Sequence, residues 1–360
     1  MPLYRQDFSL SPLQISILLA LPVIVGSLGR IPLGVLTDRY GGKNMFAVVC
    51  LLAAVPVVGL AYVQQLQLLW LVALCLGIAG ASFAVGVPYV NAWFGVRERG
   101  LALGVYAMGN AGTALSGLVT PPLALATSRA TVFLAIATML VVGGLAMWKW
   151  GRNAPKWAPN RMPVGTRLLQ AVRWQPIRPL SLLYAVTFGA FVAFGLYLPV
   201  ILTTSYDLSM VDAAARAAGF VLLATIARPF GGWLSDRLGA LPILRLVFLV
   251  SAVVVLWIAF NPPLMPVGTA LYLLLAVMLG MGSGSVFAYI GHGCPEKLTG
   301  TVSGIIGTAG GLGGFFPPLL MGVSMQFTGS YTLALFLLSA VCMAIAVGLQ
   351  RMLAVNRGYK

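Results

Sequence analysis

The chain has 360 residues and a net charge of +15, yet only 8% of its residues are charged. Its hydrophobic fraction of 60% exceeds the roughly 45–50% of soluble domains, and its mean hydropathy is +0.97. This composition excludes soluble globular, disordered and disulfide-rich secreted proteins. The basic residues lie in short segments between long apolar runs and form no continuous face, so we expect no nucleic-acid partner.

Eleven apolar segments are long enough to cross about 30 Å of hydrocarbon as helices. They are too long and too continuously apolar for the alternating strands of a membrane barrel. The sequence therefore predicts an all-α membrane protein embedded in a lipid bilayer. The predicted spans are 14–36, 45–63, 68–92, 100–124, 130–150, 179–202, 211–235, 242–260, 267–290, 299–322 and 329–350.

The distribution of Lys and Arg between alternate loops predicts the orientation of these helices. Seventeen basic residues fall on one side and three on the other, with two inside spans. The positive-inside rule makes the first side cytoplasmic, so we expect a multi-pass protein of the cell inner (plasma) membrane with a cytoplasmic C-terminus. A polar, basic, proline-rich stretch, 149–178, is expected to be a cytoplasmic linker. It separates an N-terminal bundle of five spans, 1–148, from a C-terminal six-helix bundle, 179–360.

The two halves of the chain repeat one another. The segment GRIPLGVLTDRYG (29–41) aligns with ARPFGGWLSDRLG (227–239) at a constant offset of 198, and RGLALGVYAMGNAGTALSGLVTPP (99–122) resembles TGTVSGIIGTAGGLGGFFPP (299–318). Parallel repeats of six helices are the build of many secondary transporters, which place the substrate site at the repeat interface. We therefore expect two pseudo-symmetric helix bundles.

The D-R-x-G turns occur in both halves, and GVLTDRYGGK (34–43) is the fuller copy. They resemble the hallmark loop of the major facilitator superfamily, and this resemblance covers the whole chain. The glycine runs GNAGTALSG (109–117) and GTVSGIIGTAGGLGGFFPP (300–318), with an Arg eight residues before each Asp, resemble the nitrate/nitrite porter family. The resemblance implies a secondary transporter of nitrate, nitrite or both that works by alternating access. We expect it to function as a monomer without a cofactor. Generic helix packing is the alternative interpretation of the glycines.

Members of this family begin with one more helix than this chain shows. Residues 1–12 look like the outward loop that normally follows that helix, so eleven of the usual twelve helices are expected. Either the chain starts downstream of the true initiation codon, or the deletion is natural. In the family the first helix contributes an aromatic side chain to the anion site, so an inactive truncated transporter is one alternative.

Arg30 and Arg228 are candidate substrate-binding residues, because they are the only charged residues deep inside predicted spans. A rise of about 1.5 Å per residue puts each roughly 12 Å from the Asp that follows it, near the bilayer midplane. A charge there needs a partner or an anionic ligand, and all seven carboxylates of the sequence lie in or beside loops. Two guanidinium forks suit a small planar anion. The alternative is an arginine that caps carbonyls of a helix broken near Pro32 or Pro229.

The resemblance adds three residues to the anion site. In the family a Tyr and a Phe of the seventh helix line the site, and Tyr184 and Phe188 match them, four residues apart and hence on one helical face. Asn110 matches a polar residue of the fifth helix and would offer its amide to the anion or to an arginine. Ordinary packing of the aromatic rings, and hydrogen bonding of the amide between helices, are the alternatives.

Two further groups are expected to serve motion. Asp38 and Asp236 stand where a carboxylate could meet a helix N-terminus or an Arg and latch the inner gate; a solvated turn is the alternative. Glycines of the paired runs are expected to let the fifth and eleventh helices slide past their neighbours. They are Gly109, Gly112, Gly307, Gly310, Gly311, Gly313 and Gly314.

Enzyme catalysis and metal binding have no support in the sequence. Neither a catalytic triad nor a metal-ligand cluster occurs at functional spacing, and the four cysteines are expected to be packing residues. The single His292 lies at the inner end of its span, and no span contains a carboxylate, so no proton carrier is evident. We therefore expect exchange of nitrate against nitrite. A facilitator of another small anion, such as a carboxylate or an organic phosphate, is the alternative.

Overall fold

The computed structural model describes residues 12–155 and 157–358, which form α-helices joined by short turns, with no strand in these ranges. The predicted all-α fold is confirmed. The expectations for the first eleven residues and for the end of the C-terminus fall outside the described residues. The helices are α1 (Pro12–Tyr40), α2 (Gly42–Tyr62), α3 (Leu66–Ala81), α4 (Phe83–Trp93), α5 (Arg99–Ala107), α6 (Ala111–Ala126), α7 (Arg129–Trp150), α8 (Val164–Arg173), α9 (Ile177–Ser205), α10 (Met210–Leu238), α11 (Ala240–Ala259), α12 (Thr269–Gly293), α13 (Thr299–Gly313), α14 (Phe316–Thr328) and α15 (Thr332–Gly358).

Nine helical segments in the described part of the chain are long and apolar enough to cross a membrane. The other two predicted spans, 100–124 and 299–322, are present but are not continuous helices. A 3₁₀ turn at Met108–Asn110 divides the first into α5 and α6, and residues 314–315 divide the second into α13 and α14. Both breaks fall in the glycine runs, where the freedom of the backbone disfavours a regular helix.

The internal repeat is visible in the two helices that carry the intramembrane arginines. Both α1 and α10 are 29 residues long, and the next residues, Gly41 and Gly239, have φ angles of 84° and 85°. A left-handed φ strains any residue with a Cβ, so a glycine here ends the helix and turns the chain into the next one. The repeat also extends to two short helices. The 3₁₀ turn Val96–Glu98 precedes α5, and the 3₁₀ turn Glu296–Leu298 precedes α13.

The helices form two compact units, and each unit combines segments from both halves of the sequence. Unit 1 comprises residues 1–93, 116–177 and 295–311, and unit 2 comprises residues 94–115, 178–294 and 312–360. Unit 1 therefore contains α1 and most of α13, whereas unit 2 contains α10 and α5. The domain boundaries expected at 148 and 178 stay a prediction.

Apolar side chains are buried between the helices of each unit, and many others face outwards. In unit 1 the core includes Leu33, Met45, Val49, Ala81 and Val85. In unit 2 it includes the buried residues Val247, Phe248 and Val255 of α11. Outward-facing residues such as Val55 and Met139 are 69% and 74% exposed. Lipid tails are as apolar as these side chains, so a bilayer accommodates them without further burial.

The linker 149–178 is more ordered than a simple connection. It contains α8, and its polar residues Asn160 and Arg167 are 6% and 0% exposed. The exposed Arg161 and Arg173 behave as expected of a solvated basic segment. The sequence does not predict this difference, because a pattern of charges does not show which basic side chains reach backbone carbonyls of unit 1.

Helix α1 approaches α13 closely because glycines face each other. A Cβ on Gly34 would overlap the carbonyl oxygen of Gly300, and a Cβ on Gly304 would clash with the backbone of Arg30. In unit 2, a Cβ on Gly232 of α10 would overlap Gly100 of α5 in the same way. Close backbone approach of this kind is a common use of glycine in membrane helices.

Gly34→Ala should destabilise the protein, because the added methyl group has no space unless the backbone of α13 moves. Overpacking of this kind costs about 1–3 kcal/mol. Gly143→Ala is the matched control, since nothing lies within 4 Å of a Cβ at Gly143 on α7. Thermal unfolding of the purified variants, followed by tryptophan fluorescence, measures the difference. A Gly34→Ala variant with the same melting temperature as the wild type would contradict the close contact.

Candidate functional site

Arg228 of α10 is held inside unit 2, with only 1% of its surface exposed. Its Nη1 donates to the carbonyl oxygen of Ala107, at the end of α5, over 3.5 Å. Its guanidinium carbon lies 5.4 Å from the ring centre of Phe188 and 4.8 Å from that of Phe191. A guanidinium over an aromatic face is attracted by the ring quadrupole. The charge is therefore stabilised by a helix-end carbonyl and by two aromatic rings.

An aromatic cluster, defined as Tyr184, Phe188, Phe191 and Phe287, extends from this position. Tyr184 and Phe188 stack at 5.0 Å with 9° between their planes, so the two rings share the helical face that their spacing predicts. Phe287 of α12 packs edge-on against Tyr184 at 4.9 Å, and Phe191 lies 5.8 Å from Phe188. Tyr184 and Phe188 are 1% and 7% exposed, so neither ring is a lipid-facing side chain.

Asn110 belongs to the 3₁₀ turn between α5 and α6. Its Nδ2 donates to the carbonyl oxygen of Ala107 over 2.9 Å. The same oxygen accepts from Arg228, so the amide and the guanidinium meet at one acceptor at the break of the helix.

Arg30 of α1 lies inside unit 1 and is 8% exposed. Its Nε donates to the carbonyl oxygen of Gly80 over 3.4 Å, and its Nη1 donates to the carbonyl oxygen of Gly307. Gly80 lies in the last turn of α3, where carbonyls lack a partner within the helix. A Cβ on Gly307 would lie 3.1 Å from Cδ of Arg30, so the glycine makes room for the arginine. Helix α1 continues unbroken through Pro32, so the carbonyls that Arg30 reaches are not those of a helix broken there but belong to α3 and α13.

The two arginines follow the repeat. Each lies in its own unit and donates to a short helix from the other half of the sequence: Arg30 to Gly307 of α13, and Arg228 to Ala107 of α5. These acceptors occupy corresponding positions, 200 residues apart.

Asp38 of α1 forms the unit 1 latch, which joins α1 to the start of α13. Its Oδ1 accepts from the Gly300 N–H over 2.9 Å, and its Oδ2 accepts from the N–H and the hydroxyl of Thr301 over 3.0 and 2.8 Å. The first N–H groups of a helix lack intrahelical partners, and the helix dipole favours a negative charge there. Asp38 is 6% exposed, so it is not a residue of a solvated turn.

Asp236 of α10 forms the unit 2 latch, which joins α10 to the start of α5. Its carboxylate accepts from the N–H groups of Gly100 and Leu101, both over 2.9 Å. It also lies 3.0 Å from Nε2 of His292, and its side chain is 5% exposed. The position of His292 in the sequence indicated no role, whereas the structure places it on this latch.

The glycines selected from the sequence differ in their surroundings. Little or no space for a Cβ exists at Gly307, Gly311 and Gly313. Nothing lies within 4 Å of a Cβ at Gly109 or Gly112. Gly310 and Gly314 are buried. The role of these residues in helix motion stays a prediction.

Other residues at these positions were not identified from the sequence. Phe191 follows Phe188 by three positions, and this helical spacing could have indicated a shared face. Phe287 and His292 come from α12, and only the packing of α12 against α9 and α10 brings them to Tyr184 and Asp236. Pattern within one helix could not reveal these contacts.

Parallel repeats of membrane helices are the build of many secondary transporters. The family model described as "Major Facilitator Superfamily" matches residues 1–318. The chain belongs to the major facilitator superfamily and, within it, to the nitrate/nitrite porter family. It is accordingly a multi-pass membrane transporter and not an enzyme.

Two relatives illustrate the relationship. The chain is 43% identical over 348 residues to the Mycobacterium tuberculosis protein named "Probable nitrate/nitrite transporter NarK2", covering 94% of this chain and 87% of that protein. It is 37% identical over 343 residues to the "Nitrite extrusion protein" of Bacillus subtilis, covering 94% and 85%.

The fold is also that of solved transporters. A crystal structure of the major facilitator transporter FucP aligns with a TM-score of 0.77, covering 98% of this chain and 92% of that one. The two sequences are 17% identical, so this likeness concerns the fold alone.

Asp236→Asn should loosen the start of α5, because the amide keeps the size of the carboxylate but loses its charge. A charged cap at a helix N-terminus contributes about 0.5–2 kcal/mol. Hydrogen–deuterium exchange of a peptide covering 99–105 should become several-fold faster. Asp212→Asn is the matched control, since Asp212 is exposed and bonds to Ser209 of its own turn. Unchanged exchange at 99–105 would rule out the carboxylate as the cap.

Proposed function

We propose that this protein carries nitrate, nitrite or both across the cell inner membrane by alternating access, and that Arg30 and Arg228 bind the anion. The observation that carries the proposal is the presence of two buried arginines at corresponding places of the repeat. The names of the relatives, "Probable nitrate/nitrite transporter NarK2" and "Nitrite extrusion protein", support the choice of substrate.

The chemistry of the guanidinium group supports a planar oxyanion. The group stays charged at physiological pH and offers parallel N–H donors, which match two oxygens of one anion. In an apolar span its charge is costly, and an anion offsets that cost. The proposed ligand is therefore small, flat and monovalent.

The aromatic cluster favours the same class of ligand. Phe188 lies beside the guanidinium of Arg228, and Tyr184 stacks on Phe188, so buried rings limit the space next to this charge to a small ligand. We assign Tyr184, Phe188 and Asn110 to the binding site together with the arginines. Asn110 acts at the carbonyl that it shares with Arg228.

The latches supply the gate of the proposed cycle. We place the starts of α5 and α13 on the cytoplasmic side, in line with the positive-inside rule, where they meet Asp236 and Asp38. Opening that side requires both carboxylates to leave their helices. The breaks after Ala107 and Gly313 provide sites at which these spans bend. We propose a cytoplasmic C-terminus and a functional monomer.

Uptake of labelled nitrate into proteoliposomes that contain the full chain tests the proposed function. Competition with nitrite should abolish the flux, whereas formate, oxalate and inorganic phosphate in equal excess should leave it unchanged. Stronger competition by formate or phosphate would instead assign the protein to carboxylates or phosphates. Absence of any anion flux would identify an inactive transporter.

Arg30→Lys and Arg228→Lys should each weaken nitrate binding at least tenfold, which corresponds to about 1.4 kcal/mol. Lysine keeps the charge but loses the two-donor fork. Arg161→Lys is the control, since Arg161 is an exposed linker residue. Concentration dependence of nitrate uptake gives the apparent affinity. Near-normal affinity in either test variant would disprove bidentate binding by that arginine.

Tyr184→Phe should weaken nitrate binding by about 1 kcal/mol if the hydroxyl group donates to the anion. The ring is retained, so its stacking on Phe188 is preserved. Direct binding of nitrate to the purified protein provides the measurement. An unchanged dissociation constant would assign Tyr184 to packing.

Exchange should outpace net uptake. Both arginines remain cationic throughout the cycle, and a bound monovalent anion cancels one charge. Rearrangement therefore exposes less uncompensated charge to a low dielectric when the protein is loaded. Nitrate influx should be several-fold faster into liposomes preloaded with nitrite than into empty ones. Influx that ignores internal nitrite but follows an imposed pH gradient would establish proton coupling instead.

A further inference from the structure

The linker enters the unit 1 latch through Asn160. Its backbone N–H donates to the carbonyl oxygen of Asp38 over 2.9 Å, and its Nδ2 donates to the carbonyl oxygen of Lys297 over 2.7 Å. Its Oδ1 accepts from the N–H of Met162 over 3.0 Å, which fixes the orientation of the side chain. One buried residue of the linker thus bridges the end of α1 and the turn that precedes α13.

Arg167 of α8 reaches the same end of α1. It is fully buried, its Nη1 donates to the carbonyl oxygen of Val35 over 2.9 Å, and it attracts the carboxylate of Asp38 electrostatically. Within the described residues, its Nε and Nη2 have no hydrogen-bond partner. A buried guanidinium is costly unless carbonyls, aromatic faces or a negative charge compensate it. Arg167 therefore ties α8 to the end of α1 that carries Asp38.

Asn160 and Arg167 contact the unit 1 latch, but basic residues elsewhere in the linker do not all share this burial. Arg173, on the same helix as Arg167, is exposed. The unit 2 latch has a different third partner, because Asp236 meets His292 of α12. The linker contacts described here thus support the unit 1 latch.

We propose that Asn160 and Arg167 are positioning residues of the transport cycle, which clamp the linker onto the Asp38 latch. The linker must then leave α1 and the start of α13 before this latch opens. The role in the cycle rests on the proposed transport function, whereas the clamp itself is a property of the chain without substrate.

Hydrogen–deuterium exchange of the purified full chain, without nitrate or nitrite, tests the clamp. Asn160→Ala and Arg167→Ala should each raise exchange of a peptide covering 298–305 about fivefold or more. Arg167→Lys should restore part of the protection, because it keeps a positive charge near Asp38. Arg173→Ala is the matched control and should exchange like the wild type.

A double-mutant cycle with Asp38→Asn distinguishes a positioning role of Arg167 from a general packing role. In the Asp38→Asn background, Arg167→Ala should add little further exchange, because the charge on which Arg167 acts is already gone. Full additivity would overturn the proposal, as would unchanged exchange in Asn160→Ala and Arg167→Ala. If Arg167→Ala fails to fold, exchange of the peptide covering 298–305 in Asn160→Ala and Arg167→Lys tests the clamp instead. Failure of wild-type nitrate transport would remove the proposed function without altering these exchange results.

Discussion

The arrangement of this structure depends on the free-energy cost of placing a guanidinium charge inside an apolar helix bundle. Arg30 and Arg228 are almost fully buried, and each is stabilised by a carbonyl of a short helix that the other half of the sequence supplies. Such groups are expensive in a membrane unless they meet carbonyls, aromatic faces or an anion. The helix breaks, the buried rings and the glycine beside Arg30 all accommodate these two charges.

Within each unit one short helix connects the proposed binding residue to a latch. Helix α13 receives Asp38 at its first turn and Arg30 at Gly307, and α5 receives Asp236 at its first turn and Arg228 at Ala107. A shift of either short helix therefore changes the surroundings of an arginine and of a carboxylate together. This connection offers a physical route by which anion binding can alter the gate.

Much of this arrangement was predictable, because long apolar runs and a repeat of fixed offset leave few alternatives for fold and topology. The spacing of Tyr184 and Phe188 correctly predicted a shared face. The breaks in α5–α6 and α13–α14 were missed, since glycines reduce helix stability without specifying where a helix ends. The burial of Arg167 and the contact of His292 with Asp236 were missed because they depend on packing between distant segments.

Stabilisation of the purified protein by nitrate tests anion binding by the arginines most directly. A ligand that binds the folded state stabilises it by about 2.7 kcal/mol at a concentration of one hundred times its Kd. Nitrate and nitrite should raise the melting temperature of the wild type, whereas chloride and formate at equal ionic strength should not, and Arg228→Gln should lose the shift. A nitrate shift that persists in both Arg228→Gln and Arg30→Gln would contradict anion binding by the arginines.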